Sequence, residues 1–457
     1  MTQQEPSKLP ESWRWVRLSE VVDFLDGKRI PINQEERSKR IAGKPKEELY
    51  PYYGANGQVG WIDDYIFNER LVLLAEDGGF FDELGRPVAY IVDGKYWVNN
   101  HAHVMRPRSS VIHEFLMYAL NTFSLMPYVR GTTRYKLNQG SAKSIGLPLP
   151  PVEDQRLIVA KLESILERTR AAKQELSRIP ELAKRLRMAT LSKAFRGGLT
   201  ARDSSDIPAS GLLEQIRQVR VKEGKQGPRA KVGNGVTPAN GESKPPGFEE
   251  LPQIPDSWAW TRLSEVCHVE MGQSPPGSSY NRQGLGMPLL NGPTEFGETH
   301  PEAVQWTSQP TKVCAKEDIL ICVRGNTTGR MNIADRPYCI GRGLAAIRPV
   351  KDSIDRRVIF YFLFYKTSEI MKLTAGSTFP NLPGQELRSL WVPLAPENEQ
   401  RTLATNIDHA FSNLATACKA AERALEKTKW LEQSILMRAF RGGLVPQDPD
   451  DEPASAH

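Results

Sequence analysis

The chain writes one pattern twice. PESWRWVRLSEV, from Pro10 to Val21, returns as PDSWAWTRLSEV from Pro255 to Val266, and AFRGGL, from Ala194 to Leu199, returns unchanged from Ala439 to Leu444. The copies agree at their edges and diverge between them. A frame kept in duplicate while its interior changes implies two similar domains that present two different surfaces. At 457 residues the chain is also longer than one hydrophobic core organises.

Composition narrows the class. With 39% hydrophobic and 25% charged residues, the chain reads as ordinary globular protein. No apolar run approaches the ~18 residues that a membrane span needs. The opening MTQQEPSKLPESW has neither a charged-then-apolar signal nor an Arg-rich transit pattern, so a cytoplasmic location is expected. All five cysteines (Cys267, Cys314, Cys322, Cys339, Cys418) fall in the second copy. The first copy builds the same frame without any, which points to buried thiols rather than disulfides or zinc. A net charge of +6 permits a polyanionic partner without demanding one.

Each copy has two parts. Residues 10–148 and 255–393 hold short branched and aromatic runs, such as 70–75, 88–92, 318–323 and 344–347, separated by Gly, Pro, Asn and Asp. These predict strands joined by turns, and the apolar spacing of 110–126 and 355–373 predicts helices among them. Each domain is therefore mixed α and β. The second part carries an apolar seam spaced alternately four and three: Ile158, Leu162, Ile165, Thr169, Ala172, Leu176, Ile179, Ala183 and Leu186. Its counterpart runs through Leu403, Ile407, Ala410, Leu414, Ala417, Ala421, Ala424, Thr428 and Leu431. Both seams predict long paired helices, entered after Pro-rich turns with acids in the first turn and stopped at Gly197-Gly198 and Gly442-Gly443. Pro180 has no counterpart and predicts a kink in the first helix alone. Residues 200–253 predict a basic linker with a short amphipathic helix near 210–223, and 445–457 a disordered tail.

Catalytic signatures are missing. There is no GxxxxGK[ST] loop, HExxH helix, GxSxG elbow or CxxC knuckle, and no Asn-Pro-Pro-aromatic tetrapeptide. Glu76 and Asp77 with Asp93 and Lys95 loosely match a metal-nuclease spacing, but the second copy gives Val323 and Arg324 where the first gives the acids. His101 and His103 have the spacing of one strand face; a metal site would need a third ligand, and the aligned second-copy residues Gly343 and Ala345 supply none, which favours a polar strand face.

What remains suits recognition of nucleic acid. The first copy offers Lys28, Arg29, a basic run from Arg37 to Lys46, Tyr53 and Asn56 of an aromatic turn, and Thr132, Thr133, Arg134 and Lys136. The second offers Arg282, Arg324, Asn326, Thr327, Arg330 and Arg342, with Ser377 and Thr378 where the first has Thr132 and Thr133. Arg, Lys and Asn on loops can read base edges, while Ser, Thr and glycine amides can fix phosphates.

The frame itself resembles the specificity subunit of type I restriction-modification systems. The resemblance rests on the LPxxWxWxxLxEV opening, the YYGANG loop at 52–57, the G(S/T)T before the helix, the helix entries at 145–155 and 391–400 and the AFRGGL closings, and it spans almost the whole chain. It implies two target-recognition domains, 1–148 and 254–393, joined by helical regions 149–199 and 394–444 that form an antiparallel coiled coil with pseudo-two-fold symmetry. It further implies that the chain itself is non-catalytic and carries no cofactor. Each domain would read one half of a bipartite double-stranded DNA site. Two methyltransferase subunits using S-adenosylmethionine would dock, along with two motor-nuclease subunits using ATP and magnesium. Ile158, Leu162, Ile165, Leu176, Ile179, Leu403, Ile407, Leu414 and Leu431 are the expected pairing and docking residues. Two other readings stay open at this point: a stand-alone DNA methyltransferase or nuclease, and a helical scaffold that binds no DNA.

Overall fold

The computed structural model describes residues 9–83, 85–132, 134–201, 203, 205–222, 253–350, 354–373 and 380–446. The chain divides into two compact units, one comprising residues 1–179 with 419–457, the other residues 180–418. Each unit is built on a duplicated sheet plan.

In the first unit an antiparallel sheet orders Val22–Phe24, Ala102–Pro107, Leu71–Ala75 and Ala89–Val92. A second sheet orders Gly57–Ile62, Tyr50–Gly54, Lys95–Val98 and Phe67–Asn68, with its middle pair parallel. Leu71–Ala75 is buried throughout. Its alternate side chains explain why: Val72 and Leu74 face a core shared with helix His113–Thr122, whereas Leu71 and Leu73 face the second sheet. A strand covered on both faces reads as an unbroken apolar run.

The second unit repeats the order with Cys267–Met271, Leu344–Pro349, Ile319–Cys322 and Met331–Ile333. Its companion sheet has one more edge strand, Tyr280–Asn281. Ile319 and Ile321 face one core, Leu320 and Cys322 the other. Cys267, Cys314, Cys322 and Cys339 are buried free thiols, and Cys418 is half-buried.

Two helices of 43 residues, Val152–Ala194 and Glu397–Ala439, carry the expected seams. The first runs through Pro180 as one helix. In the first unit Ile158 and Leu162 share a core with Ala439 and Phe440, while Lys173, further along, reaches back to Glu432 at 2.6 Å. The helices are therefore antiparallel. The second unit repeats this, with Arg187 over the Phe411 ring and with Leu191 and Phe195 in the core that holds Leu403 and Ile407.

The heptad does not hold along its full length. Ile165, Leu176, Ile179 and Leu414 are half-buried, but Leu431 is 53% exposed and Leu186 likewise faces solvent, with Ala172 and Ala417 also outside the seam. Lys173, Arg187, Cys418 and Glu432 turn inward instead. A 3.6-residue helix drifts by about 20° per heptad, so positions seven apart leave the contact face. Leu431 is thus not a pairing residue.

Each closing motif seals the domain of the other copy. Phe440 lies against Phe115 and Phe123 in the first unit, and Phe195 against Phe362 and Tyr365 in the second. The first glycine of each motif is in the left-handed region, with φ +74° at Gly197 and +78° at Gly442. A Cβ at Gly197 would meet Pro255 at 2.3 Å, and one at Gly442 would meet Pro10 at 2.2 Å. Gly442→Ala is expected to cost at least about 1–2 kcal/mol from backbone strain alone, visible as a lowered Tm. An unchanged Tm would contradict the contact with Pro10.

The glutamine of each helix entry has a structural task. Gln155, fully buried, accepts from the Ile112 amide and donates to the Ser110 and Pro150 carbonyls. Gln400 accepts from the Asp355 amide and donates to Ala395. Helix Ala209–Lys222, by contrast with a linker role, buries Leu212, Leu213 and Ile216 in the second unit's core. Residues 223–252, most of the expected basic linker, lie outside the described residues, as do residues 447–457 of the expected tail.

Candidate nucleic-acid interface

The duplicated plan brings the same loops together in each domain. In the first, the Gly78 amide donates to the Tyr135 carbonyl at 3.1 Å, the Leu137 amide to Glu76 at 2.7 Å and the Glu76 amide to His101 at 2.8 Å. Asn56 donates to the Gly78 carbonyl at 3.0 Å. Loops 54–57, 76–79, 99–101 and 130–137 therefore form one cluster. In the second domain Gly325 donates to Pro380, Leu382 to Val323 and Val323 to Gly343, while the Arg342 amide donates to Ser274 Oγ at 3.3 Å. The three backbone bonds match those of the first domain one for one, which places Arg324 where the first domain has Asp77.

Several expected DNA contacts are exposed in these clusters. Asn56, Thr132, Arg134 and Lys136 belong to the first, and Arg324, Asn326, Thr327, Arg330 and Arg342 to the second. Arg324, Arg330 and Arg342 have no acidic partner among the described residues, so the second cluster carries three uncompensated guanidinium groups. Lys28 is exposed on a short turn, and Arg282 on a different turn closed by Asn281 and Leu285. Thr133, Ser377 and Thr378 lie outside the described residues.

Two expected contacts face inward. Arg29 donates to Glu76 Oε2 and to the Ala102 carbonyl, both at 2.7 Å, with only 13% of its side chain exposed. Tyr53 is half-buried against Tyr90 and Tyr96, and that burial raises its hydroxyl pKa. Neither is placed to meet DNA. The basic run is also largely spoken for: Arg40 and Lys44 pair with Asp63, and Arg37 lies over the Tyr52 ring.

Beneath the first cluster is a buried polar network. His103 is fully buried between Asp26 Oδ2 at 2.7 Å and the Leu137 carbonyl at 2.8 Å. Asp26 also accepts from the Val104 amide and Gln139. Burial raises the Asp26 carboxyl, but the hydrogen bond and charge of His103, the Val104 amide and Arg29 outweigh it and hold the pKa below the ordinary value. Asp26, Glu76 and His103 lie close enough to suggest a metal. The guanidinium of Arg29 takes the place of the cation, since it bonds to Glu76 and sits 3.6 Å from Asp26. The second domain has Met271 and Ala345 where the first has Asp26 and His103. His101 stays at the rim, 3.5 Å from Asp77.

Sequence reasoning missed Asp77 as a partner of the recognition loops. Its carboxylate holds Arg134 Nε at 2.6 Å, a contact across 57 residues whose only signal was that Asp77 neighbours an acid with no counterpart in the second copy.

Fold and loops together define a duplicated two-domain recognition protein, with one polar, largely cationic loop cluster per domain. Residues 10–181 and 255–423 each match the type I restriction modification DNA specificity domain, and the chain belongs to that family. It is a type I restriction-modification specificity subunit with two target-recognition domains. Among its relatives, the EcoDI type I restriction enzyme specificity subunit of Escherichia coli is 25% identical over 96% of this chain and 90% of its own. The MjaVIII specificity subunit of Methanocaldococcus jannaschii is 22% identical over 94% and 93%. The crystal structure of the HsdS subunit from Thermoanaerobacter tengcongensis is 27% identical, covers 97% of this chain and all of its own, and superposes with a TM-score of 0.62. A chain from a structure on complex assembly and conformational transition of the type I R-M system gives 27% and 0.59, covering 96% of this chain and all of its own. Among the described residues no helix is long and apolar enough to cross a membrane.

Proposed function

We propose that each domain reads one half of a bipartite double-stranded DNA target and that the subunit itself performs no chemistry. The observation that carries this reading is the pair of matching loop clusters filled with different residues, such as Asp77 against Arg324. Equivalent frames with different polar lining suit two unrelated short sequences. The chemistry then belongs to partners: two methyltransferase subunits with S-adenosylmethionine, and two restriction subunits with ATP and magnesium, acting in the cytoplasm. A net charge of +6 gives the subunit alone a modest grip on phosphate, and its partners would close round the DNA. The domains follow residues 1–148 and 254–393, with the helical regions 149–199 and 394–444 as the expected docking surface.

Exchange of residues 1–148 for those of a relative with another target tests the reading. One half of the methylated sequence is expected to change while the other half is retained. A change in both halves would refute independent reading by the two domains.

A further inference from the structure

Arg134 stands out among the exposed cations of the first cluster because an acid aims it. Its side chain is 64% exposed, whereas Asp77, which receives its Nε, is 21% exposed. Asp77 is itself fixed by the loop. Its amide points to the His101 carbonyl at 3.3 Å, the next amide is bonded to Tyr135, and Asp77 forms a bridge with Lys136. The turn that delivers Arg134 is equally constrained: Gly131 has φ +98°, and a Cβ there would lie 2.4 Å from the Arg134 carbonyl oxygen.

With Nε engaged, the guanidinium keeps both Nη groups at its far end. Two parallel N–H donors in one plane match the O6 and N7 acceptors of guanine in the major groove. A phosphate contact does not need such aiming, and a carboxylate beside the guanidinium weakens its pull on a phosphate anion, whereas a base edge carries no net charge. The second domain lacks the pair. Arg324 occupies the place of Asp77, and Phe379, outside the described residues, is the sequence counterpart of Arg134.

We infer that Arg134, oriented by Asp77, reads a guanine in the half-site bound by the first domain. The inference rests on the proposed function. Arg134 is the base-reading residue and Asp77 a positioning residue.

The test uses the full chain assembled with its methyltransferase subunits, with randomised DNA duplexes as the probe, comparing the wild type with Arg134→Ala and Asp77→Asn. The wild type is expected to select a split motif with a required guanine in one block. Arg134→Ala should lower the preference for that guanine roughly ten- to hundred-fold and leave the other positions and the second block intact. Asp77→Asn should relax the same position by less, and an unchanged Tm should show that neither variant acts through folding. Even weakening across all sequences by Arg134→Ala would make the contact a phosphate contact and overturn the inference, as would an unchanged motif. A wild type that selects no split motif would instead overturn the proposed function on which the inference depends.

Discussion

Phe440→Ala is expected to loosen the first domain although Phe440 belongs to the second copy. Phe440 is 1% exposed, with its ring 5.0 Å from Phe115 and 6.1 Å from Phe123. Truncating such a ring removes burial and leaves a cavity, at about 3–5 kcal/mol. Hydrogen exchange resolves the location, because local protection reports local opening. Protection of Leu71–Ala75 should fall while that of Ile319–Cys322 is retained. Phe195→Ala should produce the mirror image, since Phe195 packs on Phe362 and Tyr365. Loss confined to the copy that carries the substitution would contradict the exchanged packing.

The second large effect is expected at Asp26. Asp26→Ala removes the carboxylate from His103 and Arg29 and leaves buried donors without their acceptor, a loss of about 3–5 kcal/mol. Its pH dependence follows from the lowered native pKa. A depressed carboxylate stabilises the fold fully above its unfolded pKa of about 3.9, and that contribution fades as pH falls toward the native value. The stability gap between wild type and Asp26→Asn should therefore stay constant from neutral pH down to the ordinary carboxylate range, then shrink in stronger acid. Thermal melts across that range check it. A gap that widens in acid would reverse the sign and refute the ion pair.

Much of this architecture was legible from residue patterns because local rules governed it. The run at 71–75 announces a strand buried on both faces, and the Gly197 and Gly442 stops follow from backbone conformation. Domain ownership of the closing motifs was not legible. Phe195 and Phe440 sit in identical hexapeptides, and only the antiparallel packing decides which core each one fills. Lys28 and Arg29 show the same limit at the interface. They are neighbours of like charge, yet the turn at 26–28 sends one to solvent and the other to Glu76, a partner 47 residues away. The heptad seams predicted pairing but not the drift that leaves Leu186 and Leu431 outside the contact. Asp77 was hidden for a related reason, since an acid among expected DNA contacts looks unfavourable until the arginine it aims is seen.

The central claim is that one duplicated frame reads two independent half-sites. Its most direct test is to express the chain with its methyltransferase subunit and map methylated bases across the host genome. The account predicts a split motif, two short and different blocks flanking a fixed run of unspecified bases. A continuous palindrome would contradict it, because identical halves cannot come from one cluster built on Asp77 and Arg134 and another built on Arg324, Arg330 and Arg342.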